Sequence, residues 1–219
     1  MATYLITGAS RGIGRELARQ LAARGETVIG TTRGKAGDLA KAEMITGIDV
    51  TDPQAIGRLT AALGSRKIDV LVNNAGISHS QDWHSEPLDI MRRLFEVNTL
   101  APIAVTRALL PAIAPTGKIV LITSRLGSIA DTIAGIPDLG YRMSKAALNM
   151  AGKLMAETLK RDGQTVLMIH PGYVKTEMNN GAGDITADAS ARGIIALMDR
   201  HGLDKTGTYW HVNGNAIPW

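Results

Sequence analysis

Tyr141 and Lys145 stand four residues apart in YRMSKAALN, a segment with helical apolar spacing. One helical turn puts both side chains on the same face. A phenol and an ammonium so placed can manage a proton. Tyrosine titrates near pH 10, well above the range useful for acid–base work at neutral pH, and a nearby cation favours the phenolate and lowers that value. Two further hydroxyls precede the pair, Ser124 seventeen residues before Tyr141 and Ser128 thirteen before it. Tyr-x-x-x-Lys is a short pattern and serines are common, so this stretch by itself leaves open which hydroxyl reacts. Metal chemistry is not expected. The five histidines (79, 84, 170, 201 and 211) lack ligand spacing, and the chain has no cysteine.

A second chemical signal follows the first strand-like run, TYLIT. It is TGASRGIGR, with Gly8, Gly12 and Gly14 opening a helical pattern. Glycines at that place let the backbone approach a pyrophosphate, whose charge then sits at the positive end of a helix. The second run ends in TTRG, where NAD-binding chains usually carry an acid for the ribose hydroxyls. Thr32 and Arg33 stand there instead, and Arg11 projects from the glycine loop. Two guanidiniums and no acid suit a 2′-phosphate, so NADP(H) is expected in preference to NAD(H). Asp49 and Val50 follow the third run, where the adenine edge should fall.

The elements that must position these groups alternate. Apolar, β-branched runs occur at 3–7, 27–31, 44–48, 69–73, 118–123, 165–170 and 208–212. Helical patterns occur at 12–24, 53–63, 87–114, 141–161 and 186–200, with Asp52-Pro53 a start signal for the second. Pro102 predicts a kink or a split in the long helix at 87–114. Met143, Ala147, Met150, Ala151 and Leu154 form a stripe along the one at 141–161. Continuous apolar strands separated by helices predict an α/β, doubly wound parallel sheet, and residues 1–219 read as one domain.

Bulk properties narrow the function classes. Hydrophobic residues make up 45% of the 219, charged residues 20%, and the net charge is +4. Lys and Arg are dispersed, with no basic tail and no interleaved aromatics, which argues against nucleic acid as a partner. No run approaches the ~20 apolar residues of a membrane span. The N-terminus shows no signal-peptide pattern, so a cytoplasmic protein is expected.

Thr7-Gly8-x-x-x-Gly12-x-Gly14, Asn73-Asn74-Ala75-Gly76, Asn98, Ser124, Tyr141-x-x-x-Lys145 and Pro171-Gly172-x-Val174-x-Thr176 occur in that order. Together they resemble the classical short-chain dehydrogenase/reductase family over essentially the whole chain. SRLGSIAD, YRMSKAALN and NGNAIPW resemble its small carbonyl reductases of the C-factor and sniffer group. The resemblance implies a seven-stranded Rossmann sheet ordered 3-2-1-4-5-6-7, a nicotinamide cofactor, and reversible oxidation of an alcohol to a carbonyl. Asn98, Ser124, Tyr141 and Lys145 are then the catalytic set. Tyr141 is the general acid/base, Lys145 also reaches the cofactor ribose, and Asn98 holds a water that links the lysine to solvent. Gly8, Ser10, Arg11, Gly12, Ile13 and Gly14 surround the pyrophosphate. Asn74, Ala75 and Gly76 line the adenine-ribose side, and Pro171, Gly172, Val174 and Thr176 the nicotinamide side.

Ser124 is assigned over Ser128 for the substrate oxygen because it ends the KIVLIT strand, where the family's serine sits, and loops absorb insertions that strand ends do not. Ser128 becomes a secondary pocket residue. Residues 176–186 read as a short lid, and Tyr173, Ile136, Pro137 and Leu139 as pocket walls. His79, Trp83 and His84 read as surface groups bordering the pocket. The expected function is an NADPH-dependent oxidoreductase acting on a small carbonyl or alcohol substrate, assembled as a homodimer or homotetramer through the helices at 98–114 and 141–161. The alternatives are an NADP-binding regulatory protein with little turnover, and a nucleotide-sugar epimerase. The short stretch after Pro171-Gly172 leaves little room for the epimerase's sugar-binding domain.

Overall fold

The computed structural model describes every residue except 37, 38, 40 and 133–136. The chain runs β1 (Thr3–Ile6), α1 (Gly12–Ala23), β2 (Thr27–Thr31), β3 (Glu43–Ile45), α2 (Pro53–Leu63) and β4 (Ile68–Asn73). It continues with α3 (Leu88–Phe95), α4 (Ala101–Leu109), β5 (Ile113–Ile122), α5 (Leu139–Leu159) and β6 (Thr165–His170). Last come β7 (Val174–Lys175), β8 (Ile185–Thr186), α6 (Ala187–Arg200) and β9 (Thr208–His211). Seven strands form one parallel sheet in the order β3-β2-β1-β4-β5-β6-β9, which is the expected 3-2-1-4-5-6-7 arrangement. The remaining two strands, β7 and β8, pair separately beyond its edge.

Strand alternation sends successive residues to opposite faces, and both faces here are apolar. Leu5, Ile29, Leu71, Ile119, Leu121, Val166 and Met168 pack one core with α2, α4 and α5. Tyr4, Ile6, Val28, Val72, Val120, Leu167 and Ile169 pack the other with α1 and α6. Burial on both faces explains why the strands read as unbroken apolar runs.

Three boundaries depart from the sequence reading. The helix expected over 87–114 stops at Leu109, and Leu110–Ala112, containing Pro111, make a 3-10 turn into β5. Its interior does not split at Pro102. It widens to a π-helix over Glu96–Leu100, where the Ala101 N–H donates to the Glu96 carbonyl five residues back. Pro102 has no N–H to give to the Asn98 carbonyl, and the wider turn accommodates that gap. Third, β3 ends at Ile45 because Gly47, at φ +70°, turns the chain.

The apolar stripe of α5 faces outward. Met143, Met150 and Leu154 are exposed, while Ser144, Lys145, Leu148, Asn149, Gly152 and Ala156 form the buried side. The buried face of α5 is mixed: Ser144, Lys145 and Asn149 are polar, while Leu148, Ala156 and Leu159 join the first core. Gly152 is required there: a Cβ would lie 2.5 Å from the Met168 sulfur.

Candidate active site

Six strand ends open onto one cleft of about 500 Å³. Its wall takes Gly8 after β1, Thr32 after β2, Ile48 after β3, Asn74 after β4, Thr123 after β5 and Pro171 after β6. Ligands of open α/β sheets bind at this carboxyl edge.

The glycine loop is built for close approach. Gly8 (φ +67°) and Gly12 (φ +54°) both adopt left-handed backbone. Gly14 is needed for packing, since a Cβ there would sit 2.4 Å from the Gly8 carbonyl oxygen. The Asn74 amide holds the loop by donating to the carbonyls of Thr7 (2.9 Å) and Gly8 (3.1 Å). The Thr7 hydroxyl accepts from the N–H groups of Asn74 (3.0 Å) and Ala75 (3.1 Å). Helix α1 starts without a side-chain cap and without an acid in its first turn. By contrast, Asp52 caps α2 and Thr186 caps α6. The first N–H groups of α1 are thus left to a ligand, and an anion is the group they suit.

At the other end of the cleft Arg33, Lys35 and Arg93 line the wall beside Asp49. The Asp49 carboxyl lies below its ordinary range, chiefly because it accepts from the Thr51 N–H, with Arg33 and Arg93 adding. Lys35 and Arg93 were not singled out in the sequence. Arg93 comes from α3, and only the tertiary fold brings it to the Asp49 end of the cleft. Arg11 lies on the wall but turns toward the lid, pairing with Glu177 at 2.5 Å across the mouth.

Tyr141 and Lys145 face the cleft from α5. Burial raises the Tyr141 phenol above its usual value, and a hydrogen bond with Ser124 acts in the opposite direction. This corrects the expectation that Lys145 sets the phenol low. The ammonium lies 5.8 Å from the centre of the Tyr141 ring. It donates instead to the Ile122 carbonyl (2.9 Å). Burial also brings the Lys145 pKa down to about 8.

Ser124 and Asn98 stand behind the wall. Ser124 is buried at the end of β5, and its hydroxyl accepts from the Leu126 N–H at 3.2 Å. Asn98 is fully buried in the π segment, with its side chain spent on structure. Its amide donates to the Ile77 carbonyl (2.9 Å) and the Ser144 hydroxyl (3.1 Å), and its oxygen accepts from the Ile77 N–H (2.9 Å). Asn98 therefore ties the segment after β4 to α5, and Gly76 keeps that contact close, since a Cβ would lie 3.2 Å from the Asn98 oxygen.

Ser10, Gly12, Ile13, Val50, Ala75, Gly76 and Thr176 all lie on the wall. Gly172 and Val174 do not. A Cβ on Gly172 would meet Ile185 at 2.7 Å, and Val174 is buried and paired with Ile185. Both build the base of the 176–186 segment, where Glu177–Asn179 form a 3-10 turn begun at Thr176. Tyr173 and Pro137 are exposed and off the wall, Leu139 begins α5, and Ile136 lies outside the described residues.

Ser128 has a different place from the one expected. It is buried, donates to the Pro218 carbonyl (2.6 Å) and accepts from the Asp131 N–H (3.1 Å), so it anchors backbone and lines no pocket. Ser124→Ala should reduce turnover about a hundredfold, the range found when one polarising donor is removed. Ser128→Ala should cost less than about tenfold, because it acts only through positioning. Steady-state kinetics of the two variants decide it, and the reverse ranking would reject the Ser124 assignment.

The short chain dehydrogenase family model matches residues 2–185. Among curated relatives, 1-hydroxy-2-glutathionyl-2-methyl-3-butene dehydrogenase of Rhodococcus sp. (strain AD45) is 35% identical over 100% of both chains. C-signal of Myxococcus xanthus is 36% identical, covering 69% of this chain and 93% of its own. Among solved structures, the carbonyl reductase Sniffer of D. melanogaster superposes with a TM-score of 0.93 at 26% identity over 100% of both chains. An NADPH-bound carbonyl reductase from chicken fatty liver superposes with a TM-score of 0.91 at 28% identity, over 100% of this chain and 99% of its own. The cleft at the strand ends, the motif order and these matches agree: the chain belongs to the short-chain dehydrogenase family.

Proposed function

We propose that residues 1–219 act as one NADPH-dependent carbonyl reductase domain, with Tyr141 as the proton donor. The observation that carries this reading is that Tyr141 and Lys145 line the same cleft as the glycine loop. Reduction of a carbonyl needs an acid at the oxygen as negative charge develops there, and a phenol raised above its usual pKa is protonated at neutral pH. A bound nicotinamide would supply the hydride to the carbonyl carbon. Tyr141 gives its phenolic proton to the substrate oxygen, and Ser124, whose hydroxyl acts against the burial of that phenol, polarises the same oxygen. Lys145 holds the ribose and, with its pKa near 8, can return a proton toward the phenol. Asn98 holds the Ile77 backbone against Ser144, the residue before Lys145.

The preference for NADPH rests on Arg33, Lys35 and Arg93 at the adenine end, where Thr32 replaces the acid that would hold free ribose hydroxyls. The NADPH bound to the chicken carbonyl reductase is in keeping with it. Arg33→Asp should lower the NADPH/NADH ratio of kcat/KM about a hundredfold, the worth of one charge-assisted phosphate contact plus the repulsion put in its place. An unchanged ratio would remove Arg33 from the cofactor site.

The substrate is a small carbonyl compound or its alcohol. Similarity to C-signal favours keeping a second reading, a nucleotide-binding regulatory protein with little turnover. The intact Ser124, Tyr141 and Lys145 cluster weighs against it, because a sensor needs the glycine loop but no proton donor. Membrane partners find no support in the fold: no helix among the described residues is long and apolar enough to cross a bilayer. Cytoplasmic location remains part of this proposal. The exposed Leu100, Met143, Met150 and Leu154 would be covered in a homodimer or homotetramer, since clustered apolar side chains on a helix face mark an interface. Light scattering should give a multiple of the 23.2 kDa chain mass, and a monomer mass would contradict the assembly.

A further inference from the structure

Behind Ser124 lies a second polar cluster that faces away from the cleft. Beyond β9 the chain turns at 212–215 and comes back antiparallel. Trp210 bridges Ala216, and the Ile217 N–H donates to the Tyr209 carbonyl at 2.8 Å. The returning residues then grip the turn that follows Ser124. The Pro218 carbonyl accepts from the Ser128 hydroxyl (2.6 Å), and the Trp219 carbonyl accepts from the Ala130 N–H (2.8 Å). The Trp219 ring stacks on Tyr209, with centroids 5.5 Å apart and planes at 23°. The buried Tyr209 hydroxyl donates to the carbonyl of Ser124 itself.

The same turn is fixed from the α5 side. Gly127 packs so closely that a Cβ would lie 2.7 Å from the Lys145 carbonyl carbon. Asn149, one helical turn after Lys145, donates to the Gly127 carbonyl (3.3 Å) and accepts from the Thr123 hydroxyl (2.7 Å). Burying a phenol and an amide here is costly unless both are satisfied, and both are satisfied on backbone and side chains flanking Ser124.

We infer that Tyr209 and the arm 217–219 are positioning elements for Ser124, clasping its turn from behind so that the serine hydroxyl keeps a fixed place beside Tyr141. Neither Tyr209 nor residues 217–219 line the cleft; the arm acts through the turn it holds. A displacement of about 1 Å at such a group can cost up to about a hundredfold in rate. The inference rests on the reductase reading for its kinetic consequence and on the hydrogen bonds alone for its structural one.

The test uses the full chain with Trp219→Ala, Trp219→Phe and Tyr209→Phe. Amide hydrogen exchange at residues 124–131 is read in each, together with kcat, KM and the NADPH dissociation constant. Trp219→Ala should speed exchange at Ala130 and Gly127 and lower kcat about tenfold, with NADPH affinity unchanged. Trp219→Phe, which keeps a stacking ring, should restore most of both. Tyr209→Phe should lower kcat while leaving the melting temperature within a few degrees. Unchanged exchange in Trp219→Ala would overturn the clasp, and faster exchange with unchanged kcat would overturn its role in positioning. Should the wild-type protein reduce no carbonyl at all, the reductase reading falls, and the exchange result then decides the clasp by itself.

Discussion

Tyr141→Phe should reduce carbonyl turnover about a thousandfold or more while leaving NADPH affinity within about twofold. The substitution removes one oxygen. The ring keeps its place at the start of α5, and Lys145 keeps its bond to the Ile122 carbonyl. Lost is the proton that must reach the substrate oxygen. Because burial holds the phenol above its usual pKa, the donor is fully protonated across the neutral range. Reduction by the wild-type protein should therefore stay flat with pH there and fall only as conditions turn alkaline. Nucleotide fluorescence titration and steady-state kinetics check the two halves separately. Substantial turnover in the variant would mean that another group donates the proton.

Lys145→Met should remove turnover by at least about a hundredfold and at the same time stabilise the nucleotide-free fold. The ammonium is buried, and its pKa falls from 10.5 to about 8 for that reason. Such a lowered value means that the unfolded chain binds the proton more tightly than the folded one. Wild-type stability therefore rises as pH climbs from about 8 toward 10.5. Below that window both states are charged and the fold carries the full cost, about 3 kcal/mol on linkage arithmetic. Methionine removes the cost and forfeits the bond to the Ile122 carbonyl, worth about 1 kcal/mol. The net gain of about 2 kcal/mol should raise the melting temperature at neutral pH by about 5 °C. The difference between variant and wild type should shrink in alkaline buffer. A variant less stable than wild type at neutral pH would show that the lysine's hydrogen bonds outweigh its desolvation.

These two residues were legible in the sequence, and so was the sheet, for one physical reason. Strands buried on both faces have to be apolar at every position, and helices between them have to be periodic, so the β/α alternation survives in one dimension. The glycine loop was legible because left-handed backbone at Gly8 and Gly12 and the contact at Gly14 leave little choice of residue. What failed were inferences that depend on packing between distant segments. The spacing of the α5 stripe does not announce that Ser144, Lys145 and Asn149 are among the residues that bury, because their polar atoms find partners across the fold. Arg93 reaches the Asp49 end of the cleft only because α3 passes that side. The pairing of Arg11 with Glu177, 166 residues away, had no signal in the local sequence. Ser128 looked like a pocket residue because its partner, the Pro218 carbonyl, lies 90 positions downstream. The π segment left a trace in Pro102, which signals an irregular helix without saying which kind.

The central claim is that this cleft reduces carbonyl groups with NADPH. The most direct test is NADPH consumption by the purified full-length chain over a panel of aldehydes, ketones and quinones, with NADH run in parallel. Turnover of at least one class, faster with NADPH than with NADH, is the result expected from the protonated Tyr141 and the cations at Arg33, Lys35 and Arg93. Tight binding of NADPH with no consumption above background on any class would contradict it and transfer the weight to the regulatory reading.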